Sequence, residues 1–406
     1  MSDKGIIIIG AGIEQEKMYH VARAMDLKII CTDRDPNAPC VRLADKFINA
    51  STRDPVATVM KLQKHNIKEP LGVCTLANDV PETVASVAAF YKLPGLKVQS
   101  AKKFASKVLM KKSFASKGVL SAKYEVTKTY FDALSFMERS NAHDFILKPS
   151  NGRGSLGVRF FSKHELNIAM YSEVENIANK DEVLIEEFIP GLQLSTESYI
   201  QDNKVYTAAI AERNYSKLSN TKPYVLEDGG TIPANVSVSI KKKIDSAILL
   251  AANALGLEEG CIKGDLVIRD NSVYVIEMAG RLSGGWFASD QIPEATGIDL
   301  VTAQLLTCMG QRVDTATLTP TKTTSTTIRY IWPPQGKIKK ITGMDFIESD
   351  ASHVKSGLFF KPGDFYTAEQ KHSDRFGYII ARGNDYYESI ANADKLINSI
   401  KVDYYD

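Results

Sequence analysis

Apolar and polar positions follow two rhythms along the chain. Over the first hundred residues, short unbroken apolar runs ("GIIIIGAG", "LKIICTD", "LGVCTLAND") alternate with longer stretches whose apolar residues recur at helical spacing, such as "QEKMYHVARAMD" and "PETVASVAAFYK". Unbroken runs suit strands covered on both faces, and their alternation with helices predicts a Rossmann-like parallel α/β sheet over residues 1–100. From about residue 101 the rhythm changes. A lysine-rich helix, "SAKKFASKVLMKKSFASKG", leads into shorter strands with hairpin-like loops, then a long helix, "VSIKKKIDSAILLAANALGL", and the hairpin "CIKGDLVIRDNSVYVIEM". That order predicts an α+β unit. The Thr-rich "TATLTPTKTTSTT" reads as a connection or edge strand, and "RYIWPPQGKIKKITG" with "DRFGYIIARGNDYYESIANADKLINSI" reads as a small closing α/β unit.

The hairpin carries a conditional expectation. With a three-residue loop, Asp270 to Ser272, the strands would place Asp265 directly opposite Glu277 on one face. A two-residue loop would put the acids on opposite faces, because a one-residue slip inverts every side chain. Two facing carboxylates repel unless a cation lies between them, and an oxygen-only donor pair suits Mg²⁺, with Mn²⁺ a second candidate. The alternative is that both acids mark strand ends near water.

Length and composition narrow the classes. The 406 residues call for two or three structural units. Lys plus Arg number 50 against 48 Asp plus Glu, so no overall field favours nucleic acid or an anionic membrane. Any bound anion must be met by a local site. The cysteines, Cys31, Cys40, Cys74, Cys261 and Cys308, are scattered without zinc or redox spacing, which points to a reducing cytoplasm. The opening apolar stretch is too short for a signal peptide or a membrane span.

Glycine-rich turns supply the remaining candidates. "GAGIEQ" has Gly10 and Gly12 after a strand, but Gln15 replaces the third glycine of a dinucleotide fingerprint; Asp33 stands where a ribose acid would sit, yet "DRDPNAP" reads equally as a turn. In "LKPSNGRGSLGV", Lys148 ends a strand before a loop that runs from Ser150 and Asn151 through Gly152, Arg153, Gly154 and Ser155 to Gly157. Such a loop can turn backbone amides toward an anion beside the lysine charge, and the alternative is a flexible hairpin loop. In "LIEEFIPG" two carboxylates precede an apolar-Pro-Gly turn whose backbone could read a base edge.

Taken together, Lys107 in "SKVLMKKSFASKGV", Lys148 before its glycine-rich loop, "IEEFIPG", and the acid-ended hairpin running into "RLSGG" resemble the ATP-grasp superfamily, and within it the carboxylate-amine ligases such as L-amino-acid ligases. The resemblance covers nearly the whole chain. It implies a Rossmann-like leading domain (1–100), a two-lobed ATP-grasp domain (101–316, with a lid at about 124–190) and a small C-terminal α/β domain (317–406). By the same resemblance Lys107 and Lys148 bind ATP phosphates, and the loop Ser150, Asn151, Gly152, Arg153, Gly154, Ser155 and Gly157 closes over them. Glu186 takes the adenine amino group, the backbone of Glu187, Phe188 and Ile189 serves the adenine edge, and Gln193 stands where a ribose-binding glutamate is usual. Asp265 and Glu277 hold Mg²⁺, and Arg281 stabilises an acyl-phosphate. Arg213 and Glu227 in "IAERNYSKLSNTKPYVLEDGGTIPANV", and the amides of Ser283, Gly284 and Gly285, are candidate substrate contacts. Ala279 departs from the family, which often has a further metal ligand there.

The activity so implied is an ATP-dependent ligase joining a small carboxylic acid to an amine, with ADP and phosphate released. Two alternatives keep the fold: a carboxylase or purine-pathway ligase acting on bicarbonate or a phosphorylated metabolite, and a nucleotide-binding protein without catalysis. The partners expected are small molecules, with neither nucleic acid nor membrane, in a chain for which a homodimer is the default assembly.

Overall fold

The computed structural model describes residues 4–152, 154–179 and 182–405; Arg153, a candidate loop residue, lies outside them. Four parallel strands open the chain: β1 (Ile6–Ile9), β2 (Ile29–Asp33), β3 (Lys46–Asn49) and β4 (Gly72–Cys74), in the order β3-β2-β1-β4. Every residue of β1 is buried, as its unbroken isoleucine run requires of a strand covered on both faces. The turn after β1 is filled from within. Gln15 Nε2 donates to Ile9 O at 3.1 Å and to Thr75 Oγ1 at 3.3 Å, while Gly12 N–H donates to Gln15 Oε1 at 2.7 Å. A side chain therefore sits in the crevice that a dinucleotide pyrophosphate would need.

Helices at Val98–Ala105 and Lys107–Lys117 then lead to a second sheet made of β5 (Tyr124–Thr127), β6 (Asp144–Pro149), β7 (Arg159–Ser162) and β8 (Val183–Glu187), ordered β5-β8-β6-β7. It has its own core, with Phe145, Leu147, Phe161 and Ile185 among its members. The third and largest sheet begins with β9 (Leu192–Gln201), β10 (Lys204–Asn214), β11 (Gly229–Ile232), β12 (Gly260–Arg269), β13 (Ser272–Ala279) and β14 (Ser325–Ile331). The last strands are β15 (Gly336–Thr342), β16 (His353–Leu358), β17 (Phe365–Tyr366), β18 (Gly377–Gly383) and β19 (Lys401–Tyr404). The large sheet runs β13-β12-β9-β10-β11-β14-β18-β16, so strands from both sides of residue 316 share it. β15, β17 and β19 form a separate small sheet.

The β12–β13 hairpin reaches the facing arrangement by another route than a three-residue loop. Its loop has two residues: Arg269 pairs with Ser272, and Asp270 and Asn271 both take positive φ (48° and 62°), the geometry of a type I′ turn. That register alone would put Glu277 beside Gly264 and on the other face from Asp265. A bulge between Leu266 and Asp265 then leaves Ile276 as the extra residue, and Asp265 pairs with Glu277.

Candidate active site

The Lys107–Lys117 helix is capped by Ser106, whose Oγ accepts from Leu109 N–H, and it starts where Lys107 N–H donates to Ser150 O at 2.9 Å. Lys107 and Lys111 lie four residues apart on its buried face, with Met110 and Phe114. Lys107 Nζ reaches Glu277 at 3.2 Å and also donates to Gly152 O in the glycine-rich loop. Lys111 Nζ is 3.3 Å from one oxygen of Glu186, and Lys148 Nζ, from the end of β6, is 2.8 Å from the other. All three lysines and Glu186 are buried. Burial favours the neutral form of Glu186, but the Lys111 and Lys148 charges outweigh it and hold its carboxyl below the usual range. Lys111 is pushed down to about 8 by desolvation, with Glu186 opposing the drop.

The glycine-rich loop has the backbone that its glycines allow. Gly154 and Gly157 take φ of +54° and +76°, and a Cβ on Gly157 would meet Pro149 and Ile177 at 3.0–3.1 Å. The loop is fastened from the far end of the chain: Ser155 Oγ lies 3.1 Å from His372 Nε2, and His372 N–H donates to Gly154 O at 3.1 Å. Ser150 is buried against Ser106 at 3.3 Å, and Asn151 is exposed. At the expected adenine edge, the amides of Glu187 and Phe188 already donate to Lys123 O and Asp144 O, both at 2.9 Å. Ile189 is the expected member whose amide is not engaged in this way. Gln193 is half-buried and donates to Ile189 O at 3.5 Å.

On the β12–β13 hairpin, Asp265 accepts from Ser195 Oγ at 2.9 Å, lies 3.0 Å from Arg213, and is bonded to Lys263. Burial would raise its pKa, yet Lys263 and Arg213 together depress it strongly. Lys263 also pairs across the hairpin with Ala279. The side that Ala279 leaves without a ligand is thus served by an ammonium group. Among the described residues no cluster of three or more His, Cys, Asp or Glu could hold a metal alone. The opposed pair Asp265 and Glu277 fits an ion that takes one or two carboxylates and completes its octahedron with phosphate and water, which is how Mg²⁺ is commonly bound.

Arg213 bridges two acids, Asp265 and Glu227, the latter at 2.7 Å. Arg375, from the C-terminal region, lies 3.9 Å from the same Glu227 and stacks 3.3 Å over the Tyr330 ring. His372 faces this cluster, and desolvation, with Arg375, Arg213 and Lys263 nearby, holds its imidazole neutral. Arg281 does not stand free: its Nε donates to Asp79 Oδ1 at 2.7 Å and its Nη1 to Leu282 O at 2.9 Å. The turn behind it does present amides to carboxylates, but here the acids belong to the protein. Ser283 N–H donates to Glu197 at 3.1 Å and Gly285 N–H to Glu14 at 2.7 Å, while a Cβ on Gly284 would meet Glu14 at 2.2 Å. Trp286 and Phe287 are core; Trp286 stacks on Tyr378 with ring centroids 3.5 Å apart.

Sequence reasoning missed Lys111, Asp79, Glu197, Lys263, His372 and Arg375. A local signal existed for Lys111 alone, a lysine four residues after Lys107 on the apolar face of its helix. The others meet their partners through the tertiary fold.

Residues 141–290 match the ATP-grasp domain family, and residues 329–405 match the L-amino acid ligase C-terminal domain 2. No curated protein sequence matches the chain. Among solved structures, L-amino acid ligase from Bacillus licheniformis superposes with a TM-score of 0.83 at 20% identity, covering 99% of both chains. Phosphoribosylglycinamide synthetase from Anaerococcus prevotii gives 0.76 at 22% identity, over 99% of this chain and 100% of that one. The ADP complex of N5-carboxyaminoimidazole synthetase from Staphylococcus aureus gives 0.72 at 16%, over 97% of each. Residues 141–290 thus carry an ATP-grasp domain and residues 329–405 a C-terminal domain of the L-amino acid ligase type, within a chain whose fold is that of the ATP-grasp ligases.

Proposed function

We propose that this chain is an ADP-forming carboxylate-amine ligase, which activates a small carboxylic acid as an acyl-phosphate and joins it to an amine, with amino acids as the first amines to try. One observation carries the reading. Among the described residues the carboxylates paired with Lys107, Lys111 and Lys148 are Glu186 and Glu277, so three buried ammonium groups face two carboxylates, and this cluster holds one positive charge in excess. An unbalanced buried cation is costly, and a polyphosphate laid against it removes that cost.

In this reading the substrate carboxylate attacks the γ-phosphorus of ATP and ADP leaves. The amine then attacks the acyl carbon, phosphate leaves, and the amine nitrogen loses a proton. Asp265 and Glu277 would hold Mg²⁺, whose chemistry there is charge neutralisation at the transferred phosphoryl group. Lys107 and Lys148 neutralise phosphate charge, and Arg281, oriented by Asp79, faces the developing acyl-phosphate. The loop at Gly152–Gly157, held by His372, shields that intermediate from water. Arg213 and Arg375, which share Glu227, form the basic side on which a substrate carboxylate would rest.

The alternative acceptors, bicarbonate or a phosphorylated metabolite, are suggested by the purine-synthetase folds among the structural relatives; the L-amino acid ligase match at 329–405 favours an amine. No helix among the described residues is long and apolar enough to cross a membrane, and a small-molecule enzyme of the cytoplasm is the setting we propose. The test is ADP release over a matrix of carboxylic acids and amines, with bicarbonate arms. Release that needs both a carboxylate and an amine supports the reading; release driven by bicarbonate alone, or nucleotide binding without turnover under any pair, overturns it.

A further inference from the structure

Lys111 has no part in the steps above, yet it is the most deeply buried of the three lysines, at 1% exposure. Its ammonium and that of Lys148 flank one carboxylate from opposite oxygens, at 3.3 and 2.8 Å. Neither Lys111 Nζ nor Glu186 Oε1 makes a well-directed hydrogen bond in this arrangement. The Lys111–Glu186–Lys148 row is therefore held by charge and leaves directional bonding capacity unused at Glu186.

The two lysines differ in what they can do next. Lys148 stands at the end of β6, where the chain enters the glycine-rich loop, and a phosphate anion arriving there offers its ammonium a better partner than a shared carboxylate. Lys111, at 1% exposure on the buried face of its helix, where Met278 N–H donates to neighbouring Met110 Sδ at 3.4 Å, stays beside Glu186 when an anion enters. Once Lys148 turns away, Lys111 is the remaining counter-ion of a buried carboxylate, and the oxygen that Lys148 vacates is open to a donor.

We infer that Lys111 is a positioning residue for base selection: it keeps Glu186 ionised and oriented so that the vacated carboxylate oxygen accepts the exocyclic N–H of adenine. The inference rests on the proposed ATP site, with Glu186 as the adenine acceptor. Without Lys111 the buried carboxylate would gain stability by taking a proton, and a carboxylic acid can donate to the 6-oxo group of hypoxanthine as readily as it can accept from adenine. Loss of Lys111 thus erases the preference for ATP over ITP. A lysine that merely balanced charge in the fold would change stability and leave that preference intact.

The experiment compares wild type, Lys111→Met, Lys111→Arg and Glu186→Gln for ATP and ITP, by calorimetric binding with Mg²⁺ and by steady-state release of ADP or IDP. In Lys111→Met the KM for ATP should rise roughly tenfold, the loss of one charge-assisted hydrogen bond, with the change carried by KM more than by kcat. Its ATP:ITP ratio should fall toward one, and Lys111→Arg should restore the preference. A folded Lys111→Met that keeps the wild-type ratio overturns the inference. Should Lys111→Met fail to fold, Lys111→Gln, which keeps a donor but carries no charge, decides: retained ATP preference overturns the inference, and lost preference supports it. Wild type that binds neither nucleotide, or Glu186→Gln that leaves the ratio unchanged, would instead bring down the underlying ATP-site reading and the inference with it.

Discussion

Glu197 gives the sharpest quantitative test of the cleft. It is fully buried on β9, one of its oxygens accepts Ser283 N–H, and the other finds no donor among the described residues. Burial pushes its carboxyl up from 4.5 to about 7, against the pull of Ser283, Arg281 and Lys263. A raised carboxyl pKa means that the native state binds more protons than the unfolded chain between those two values, so stability falls as pH climbs through that window. The cost is absent below about pH 4.5 and complete above about pH 7, and at roughly 1.4 kcal/mol per unit it amounts to about 3 kcal/mol. Glu197→Gln has the same shape, keeps an acceptor for Ser283 and never ionises. Its melting temperature in thermal scans without nucleotide should match wild type near pH 4.5 and exceed it at pH 8. For a unit of this size, ~2–4 °C per kcal/mol makes the gain roughly 6–12 °C. A difference that does not change with pH, or a variant less stable than wild type at pH 8, would show that Glu197 is not buried as a strained carboxylate.

Three further outcomes test other parts of the cleft. Asp79→Asn leaves Arg281 a neutral acceptor in place of its counter-charge and should lower kcat roughly tenfold or more while ATP binding is retained, as measured by calorimetry; equal losses in both would place Asp79 in the nucleotide site instead. Glu277→Gln removes half of the opposed acid pair and should lower turnover by roughly a hundredfold or more, with the Mg²⁺ requirement shifted to higher concentration; unchanged turnover refutes the metal assignment. His372→Ala frees the glycine-rich loop and should raise the ratio of ADP released to amide formed, because a looser loop admits water to the acyl-phosphate; an unchanged ratio removes His372 from loop closure.

Local patterns made the framework legible. The unbroken isoleucines of β1 marked a strand covered on both faces; Lys148 and Glu186 stand near the ends of β6 and β8, while Asp265 and Glu277 face each other from within β12 and β13. The hairpin shows the boundary of such reading. The acids do face each other, but through a two-residue turn corrected by the bulge at Ile276, and alternation alone cannot place an unpaired residue. The partners of Arg281 and Gly285, Asp79 and Glu14, lie 202 and 271 positions away, and no periodicity encodes contacts at such range. The same is true of the fastening of Ser155 by His372, 217 positions on. The Thr-rich stretch read as a connection or edge strand, yet β14, which begins in it, lies inside the large sheet, and no local pattern names the strand beside it.

That neighbour is β11, joined to β14 in register from Gly229 with Arg329 to Ile232 with Thr326. The C-terminal region is thus not a separable module hung on a linker. A fragment ending near residue 316 would leave β11 with a bare row of amides and carbonyls beside a buried apolar edge, a template for pairing with another chain. Exchange of C-terminal domains between relatives would face the same constraint: a newcomer must bring a strand that matches β11, and with it a loop from which a residue such as His372 reaches Gly154 and Ser155.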